Sequence, residues 1–147
     1  MKVSPATRRK ARHFGMQALY QWHMTGAPLN TIEAEFRVDN DMTHTDTEYF
    51  HELVHKVPAC VEELDGVYQQ YIQDRELEEL DPITLSLLRL ATYEFKYRID
   101  IPYKVVINEA VSLAKKFGAT DSFKFVNGVL DQVAATERAL EVNAQKQ

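Results

Sequence analysis

A chain of 147 residues with a formal net charge of -5 is the natural size for one domain, because at this length roughly 68 to 70% of the unfolded surface can be buried without staples. Its single cysteine, Cys60, excludes an internal disulfide and a cysteine-rich metal site, and no apolar run near the start suggests export or anchoring, so a cytoplasmic setting is expected. The mean charge argues against indiscriminate nucleic-acid binding, yet the charge is segregated: residues 1–32 carry +5, residues 33–81 carry -12 and residues 82–147 carry +2.

Residues 1–7 read as a flexible basic arm that includes Lys2, and a helix is expected from about Pro5 to Met24. Ala11, Phe14, Gly15, Ala18, Leu19 and Trp22 recur at helical spacing and form its core stripe. Met16 and Tyr20 fall off that stripe, beside Arg9 and His13, and leave a small apolar patch edged by positive charge. Either another helix of the same domain covers this patch or a partner does. The helix opens with Arg8, Arg9, Lys10 and Arg12, although cations at a helix N-terminus oppose the macrodipole. The plain alternative is a solvated charged end, but the dipole conflict points to a demand outside helix stability.

Gly26, Ala27 and Pro28 end this helix, and Leu29 to Val38 reads as a short amphipathic helix with Ile32 and Phe36 inward. An acidic loop follows from Asp39 to Asp46. The next helix starts near Asp46 or Thr47, turns Tyr49, Phe50, Leu53, Val54 and Val57 to the core, and is interrupted at Pro58 before a fourth runs through Tyr71. Residues 51 to 55, HELVH, match the zinc-protease motif, in which two histidines four apart bind the metal and the glutamate activates its water. Here His51 and His55 sit at the flank of the apolar stripe with Glu52 nearly opposite, no strand is expected to hold a substrate, and no third ligand stands out. A solvated helix flank without metal is the preferred reading over a zinc hydrolase.

Asp81 to Arg98 is apolar in nearly every direction around a helix axis, through Ile83, Leu85, Leu87, Leu88, Leu90, Ala91, Tyr93, Phe95 and Tyr97. Such a helix is buried, and this one has Asp81 to cap it and Pro82 at its first position. A further helix from Pro102 carries Tyr103, Val106, Ile107, Ala110, Val111, Leu113, Ala114 and Phe117 inward, and Gly118 ends it. Thr120, Asp121 and Ser122 offer caps for the last helix, with Phe123, Val126, Val129, Leu130, Val133 and Ala134 inward; the short link makes the two a tight antiparallel pair. Phe125 falls at the edge of that stripe beside Lys124. It either finishes the core or offers a ring on which an unpaired RNA base can stack. Residues 136–147 are polar and read as a frayed tail.

RRKAR at 8–12, MQALYQW at 16–22, LLRLATYEF at 87–95, IPYKVVINEAVSLAKKFG at 101–118 and KFVNGVLD at 124–131 together resemble the bacterial NusB family of transcription antitermination proteins, from about Lys2 to Val133. The resemblance implies an all-α fold, a compact single-domain bundle of about seven helices around a central apolar helix, and no enzymatic activity or cofactor. It implies binding to the single-stranded boxA element of nascent ribosomal RNA as a heterodimer with NusE, a small-subunit ribosomal protein, within the RNA polymerase antitermination complex. By motif, the arginine-rich RNA-binding start falls on Arg8, Arg9, Lys10 and Arg12, with Lys2 ahead of it, and Lys10 stands where arginine is usual. The second RNA-contacting region falls on Asp121, Lys124, Phe125 and Asn127, and the partner-facing tyrosine on Tyr20, with Met16 beside it. An alternative is a relative of the NusB-like module of some RNA cytosine methyltransferases, although this chain shows no Gly-rich cofactor loop.

Overall fold

In the computed structural model residues 3–73 and 75–145 are described, and all regular structure among them is helical. The chain divides into two compact units, Met1–Cys60 and Val61–Gln147. The first holds α1 (Pro5–Thr25), α2 (Leu29–Asp39) and α3 (Thr47–Ala59); the second holds α4 (Val61–Gln69), a 3-10 turn (Leu77–Glu79), α5 (Pro82–Tyr97), α6 (Tyr103–Phe117), α7 (Ser122–Glu137) and α8 (Ala139–Gln145). None of these helices is long and apolar enough to cross a membrane.

In the first unit α1 begins inside the stretch expected to be an arm. The Ser4 hydroxyl accepts from the Thr7 amide at 3.2 Å, the Thr7 hydroxyl accepts from the Ser4 amide at 2.9 Å, and Pro5 takes the first helical position. Lys2 lies outside the described residues. The helix ends at Gly26, whose φ of 66° is a left-handed conformation that costs glycine nothing. Helix α1 packs on α2 and α3, burying Ala11, Phe14, Ala18 and Leu19, while α3 buries Tyr49, Phe50, Leu53, Val54 and Val57. Gly15 lets the helices approach closely, since a Cβ there would lie 3.0 Å from Leu53 Cδ1. Pro58 falls in the last turn of α3, which stops at Ala59 before α4 begins.

In the second unit α5 is the organising element, touching α4, α6 and α7. The Asp81 carboxylate accepts from the Ile83 amide at 3.3 Å and Pro82 starts the helix, as its sequence signals. Every residue from Thr84 to Phe95 is buried, while Pro82, Ile83 and Lys96 are half-buried and Tyr97 is exposed. Two charges go in with the apolar residues, Arg89 and Glu94. Arg89 makes a forked contact with Asp65 of α4, Nε to Oδ1 and Nη2 to Oδ2 both at 3.0 Å, and the Tyr68 hydroxyl donates to the same carboxylate.

Helices α6 and α7 form the expected tight pair, and Gly118 allows it. A Cβ at Gly118 would run into Ser122 Oγ and come within 2.7 Å of the Ala114 carbonyl oxygen. Gly118→Ala should therefore cost about 1 to 3 kcal/mol of stability in urea unfolding, as overpacking does; an unchanged midpoint would mean that the turn moves aside freely.

The expectation of a frayed tail from residue 136 is corrected, at least to Gln145. Helix α7 runs to Glu137 and α8 follows. Between them Arg138 is buried, and its guanidinium donates to the carbonyls of Phe95 at 2.8 Å, Arg98 at 3.0 Å, Ile101 at 3.0 Å and Glu94 at 3.2 Å, and to Glu141 Oε1 at 2.7 Å. Glu141 also accepts from the Tyr103 amide at 2.8 Å. These long-range bonds, not an apolar stripe, hold the segment.

Candidate nucleic-acid interface

The four cations at the start of α1 do not form one solvent-facing cluster. Arg9 and Lys10 are exposed, Arg8 is half-buried, and Arg12 is buried with 4% of its surface accessible. Arg8 Nε lies 3.2 Å from Asp46 Oδ2, its guanidinium stands 4.6 Å from the centre of the Tyr49 ring, and that of Arg12 stands 5.8 Å from the same ring. Asp46 also caps α3 by accepting from the Tyr49 amide at 3.1 Å, and its own amide donates to the Thr7 carbonyl at 3.1 Å. Arg8 and Arg12 thus tie the start of α1 to the start of α3. The geometry follows from the helical period: at 100° per residue, Arg8 and Arg12 fall in the same arc as Gly15 and Leu19, whereas Arg9 and Lys10 point away from it. This structural use accounts for part of the charge that the macrodipole disfavours.

Met16 is also corrected. It is 1% exposed, so it belongs to the core rather than to a surface patch. The buried arc of α1 is wider than one stripe because the helix packs on both α2 and α3. Tyr20 lies at its edge with 36% of its surface accessible, and Met24, one turn on, is exposed.

The second candidate region is the first turn and a half of α7. Asp121 stands at the N-cap position in the left-handed conformation, φ 67°, and its side chain makes no capping bond, contrary to the role expected from its type. It pairs instead with Lys124 at 3.5 Å. Lys124 and Asn127 are exposed, and Phe125 is half-buried, with the Arg75 guanidinium 4.6 Å from its ring centre. Phe123 is flanked by Lys115 at 4.8 Å and Lys124 at 6.0 Å, and Lys116 stands 5.4 Å from the Phe117 ring. The α6–α7 turn and the start of α7 therefore bring cations, an amide and aromatic edges within a short stretch of chain. Arg75, Lys115 and Lys116 were not among the residues expected here. The KKFG run at the end of α6 was the available signal for the lysines; Arg75, about fifty residues from Phe125, had none.

A third cluster lies at HELVH. A third side chain that the sequence does not place beside the two histidines is Glu33 on α2, whose Oε1 sits 2.8 Å from His51 Nδ1 and 2.7 Å from His55 Nε2. Arg37 holds the other oxygen, Oε2, through Nη2 at 2.7 Å and Nε at 2.8 Å. Burial opposes the charge on Glu33, but the hydrogen bonds from Arg37, His55 and His51 outweigh it and hold the carboxyl below its usual range.

Comparison with known proteins shows the family of the chain. The model of the NusB family matches residues 9–135. The transcription antitermination protein NusB of Teredinibacter turnerae is 64% identical over 146 residues, 99% of each chain. That of Saccharophagus degradans is 58% identical over 146 residues, 99% of this chain and 97% of the relative. Among solved structures, T. maritima NusB superposes with a TM-score of 0.77 at 30% identity, over 92% of this chain and 94% of the other.

Proposed function

Because the chain belongs to the NusB family, a family of non-enzymatic factors, we propose that it serves cytoplasmic transcription antitermination by binding boxA RNA of nascent ribosomal transcripts together with NusE. The observation that carries this reading is the start of α7, where the Arg75 guanidinium stands over the half-exposed Phe125 ring and Lys124 and Asn127 are exposed on the same turns of helix. Unpaired bases stack on aromatic rings while cations hold the phosphates. On a chain of net charge -5, RNA has to be held by such local patches rather than by the mean field. Each unit carries one: Arg9 and Lys10 on α1, and Lys124 with Phe125, Asn127 and Asp121 on α7. Arg8 and Arg12 act in this reading mainly by fixing the helix that presents Arg9 and Lys10.

A salt series with a labelled boxA-like RNA, NusE present, tests it. For single strands the salt slope is about -0.7 per neutralised phosphate, so Arg9→Ala/Lys10→Ala should flatten it by about 1.4. Phe125→Ala should cost about 1 to 3 kcal/mol of affinity with little change in slope. If both folded variants keep wild-type affinity and slope, the RNA lies elsewhere.

Tyr20 is the proposed anchor for NusE, as a rigid aromatic at the exposed edge of α1. Tyr20→Ala should weaken NusE binding by about 1 to 2 kcal/mol while leaving thermal stability near wild type. A fall in stability with unchanged affinity per folded molecule would make Tyr20 a core residue instead.

A further inference from the structure

We propose that Glu33, His51 and His55 form a binding site for a divalent transition-metal ion of the zinc type, clamping α2 to α3. Among the described residues this is the one group of three or more histidine, cysteine or acidic side chains able to share an ion, its ligand atoms all within 4.8 Å of one another. The chemistry of the set is specific. Two imidazole nitrogens and one carboxylate oxygen, with a fourth position left for water, suit zinc and its neighbours, and not magnesium or calcium, which take oxygen ligands.

The geometry needs little adjustment. Ligand atoms about 2.0 to 2.1 Å from a tetrahedral ion lie roughly 3.3 Å apart, and Oε1 now stands 2.8 and 2.7 Å from the two nitrogens. Opening these contacts by about half an ångström admits the ion. The ring nitrogens that face Glu33 would give up their hydrogens to the far nitrogens of the same rings, so the imidazoles stay neutral as they ligate. The carboxylate is already placed for this role. Arg37 occupies Oε2 and leaves Oε1 to the histidines, and Glu33 is itself buried. The His51 side chain is 57% exposed, which provides an entry path. Bound metal would join residues 18 and 22 positions apart and so stabilise the folded unit in proportion to ion concentration.

The full chain, stripped with chelator and dialysed, is titrated with Zn2+ by calorimetry and followed by thermal unfolding, in parallel with Glu33→Gln, His55→Ala and, as a surface-histidine control, His44→Ala. One equivalent should bind to wild type and to His44→Ala and raise the unfolding temperature. Glu33→Gln and His55→Ala should bind about tenfold more weakly or worse, since loss of a direct ligand costs at least as much as loss of its support. Co2+ should give visible four-coordinate bands that disappear in Glu33→Gln, and Mg2+ should not compete. Circular dichroism checks that each variant is folded; should one fail, His51→Ala, at the most exposed ligand, replaces it. Absence of saturable Zn2+ binding, or wild-type affinity in Glu33→Gln and His55→Ala, would overturn the site and leave the three residues a hydrogen-bonded network.

Discussion

Replacing Arg138 by methionine is expected to lower the unfolding free energy by about 3 to 5 kcal/mol, the usual result of removing one partner of a buried charged network. The last carbonyls of any helix lack intrahelical donors and must find others. At the end of α5 the Phe95 carbonyl, and that of Ile101 in the following turn, accept from the Arg138 guanidinium at 2.8 and 3.0 Å, while the carbonyls of Glu94 and Arg98 accept from it as a second donor beside the Arg98 and Ile101 amides. Methionine fills similar space but donates nothing, so the buried Phe95 and Ile101 carbonyls lose their guanidinium donor and the buried network loses its charge. Arg138→Lys should recover only a minor part, because a compact ammonium cannot reproduce the planar fork. Urea unfolding followed by circular dichroism reads the difference. A loss below about 1 kcal/mol would mean that water satisfies the carbonyls and that Arg138 is no cap.

Asp65→Asn and Arg89→Met should each cost about 3 kcal/mol or more, and the double variant clearly less than their sum. The two groups face each other in a fork with both contacts at 3.0 Å, at the junction of α4 and α5. Burial, and then the neighbouring Asp65 charge, pushes the Tyr68 phenol up, so it stays neutral and donates to the carboxylate. Removing Arg89 leaves that carboxylate with the phenol and no cation, whereas removing both partners leaves only apolar and neutral polar groups. Chemical unfolding of the three variants measures the coupling. Strict additivity would show that the pair does not act as a unit.

Elements whose cause is local were legible in the sequence. Asp81 and Pro82 mark the start of α5, its all-round apolar surface marks its burial, and Gly118 marks the turn between α6 and α7; each signal lies within a few residues of what it explains. The misses share a different origin. Helix α8 offers little apolar pattern, with Leu140 exposed and Val142 alone buried, and it is held by Arg138 contacts 37 to 44 residues away in the chain. Glu33 completes the histidine pair from another helix. Arg8 and Arg12 look like surface charges by type, yet their long stems lie along the core arc and their heads reach Asp46 and Tyr49, the usual behaviour of amphipathic side chains. Residue type predicted charge, and only tertiary packing decides which charges meet solvent. The same holds at Phe125, where periodicity places the ring at an edge but cannot supply Arg75.

The bonds from Arg138 also impose an order on synthesis. A chain leaves the ribosome N-terminus first and its parts fold as they emerge. The helices of Met1–Cys60 pack among themselves within that span, so this unit can close while the remainder is still being translated. Helix α5 cannot be finished in the same way: the Phe95 carbonyl at its end, and that of Ile101 just beyond, take the guanidinium donor of residue 138, some forty codons later. During that interval the most extensively buried helix of the protein is complete in sequence but lacks the guanidinium that ties down its end, which makes the nascent Val61–Gln147 unit the one that most needs shielding from its neighbours on the polysome.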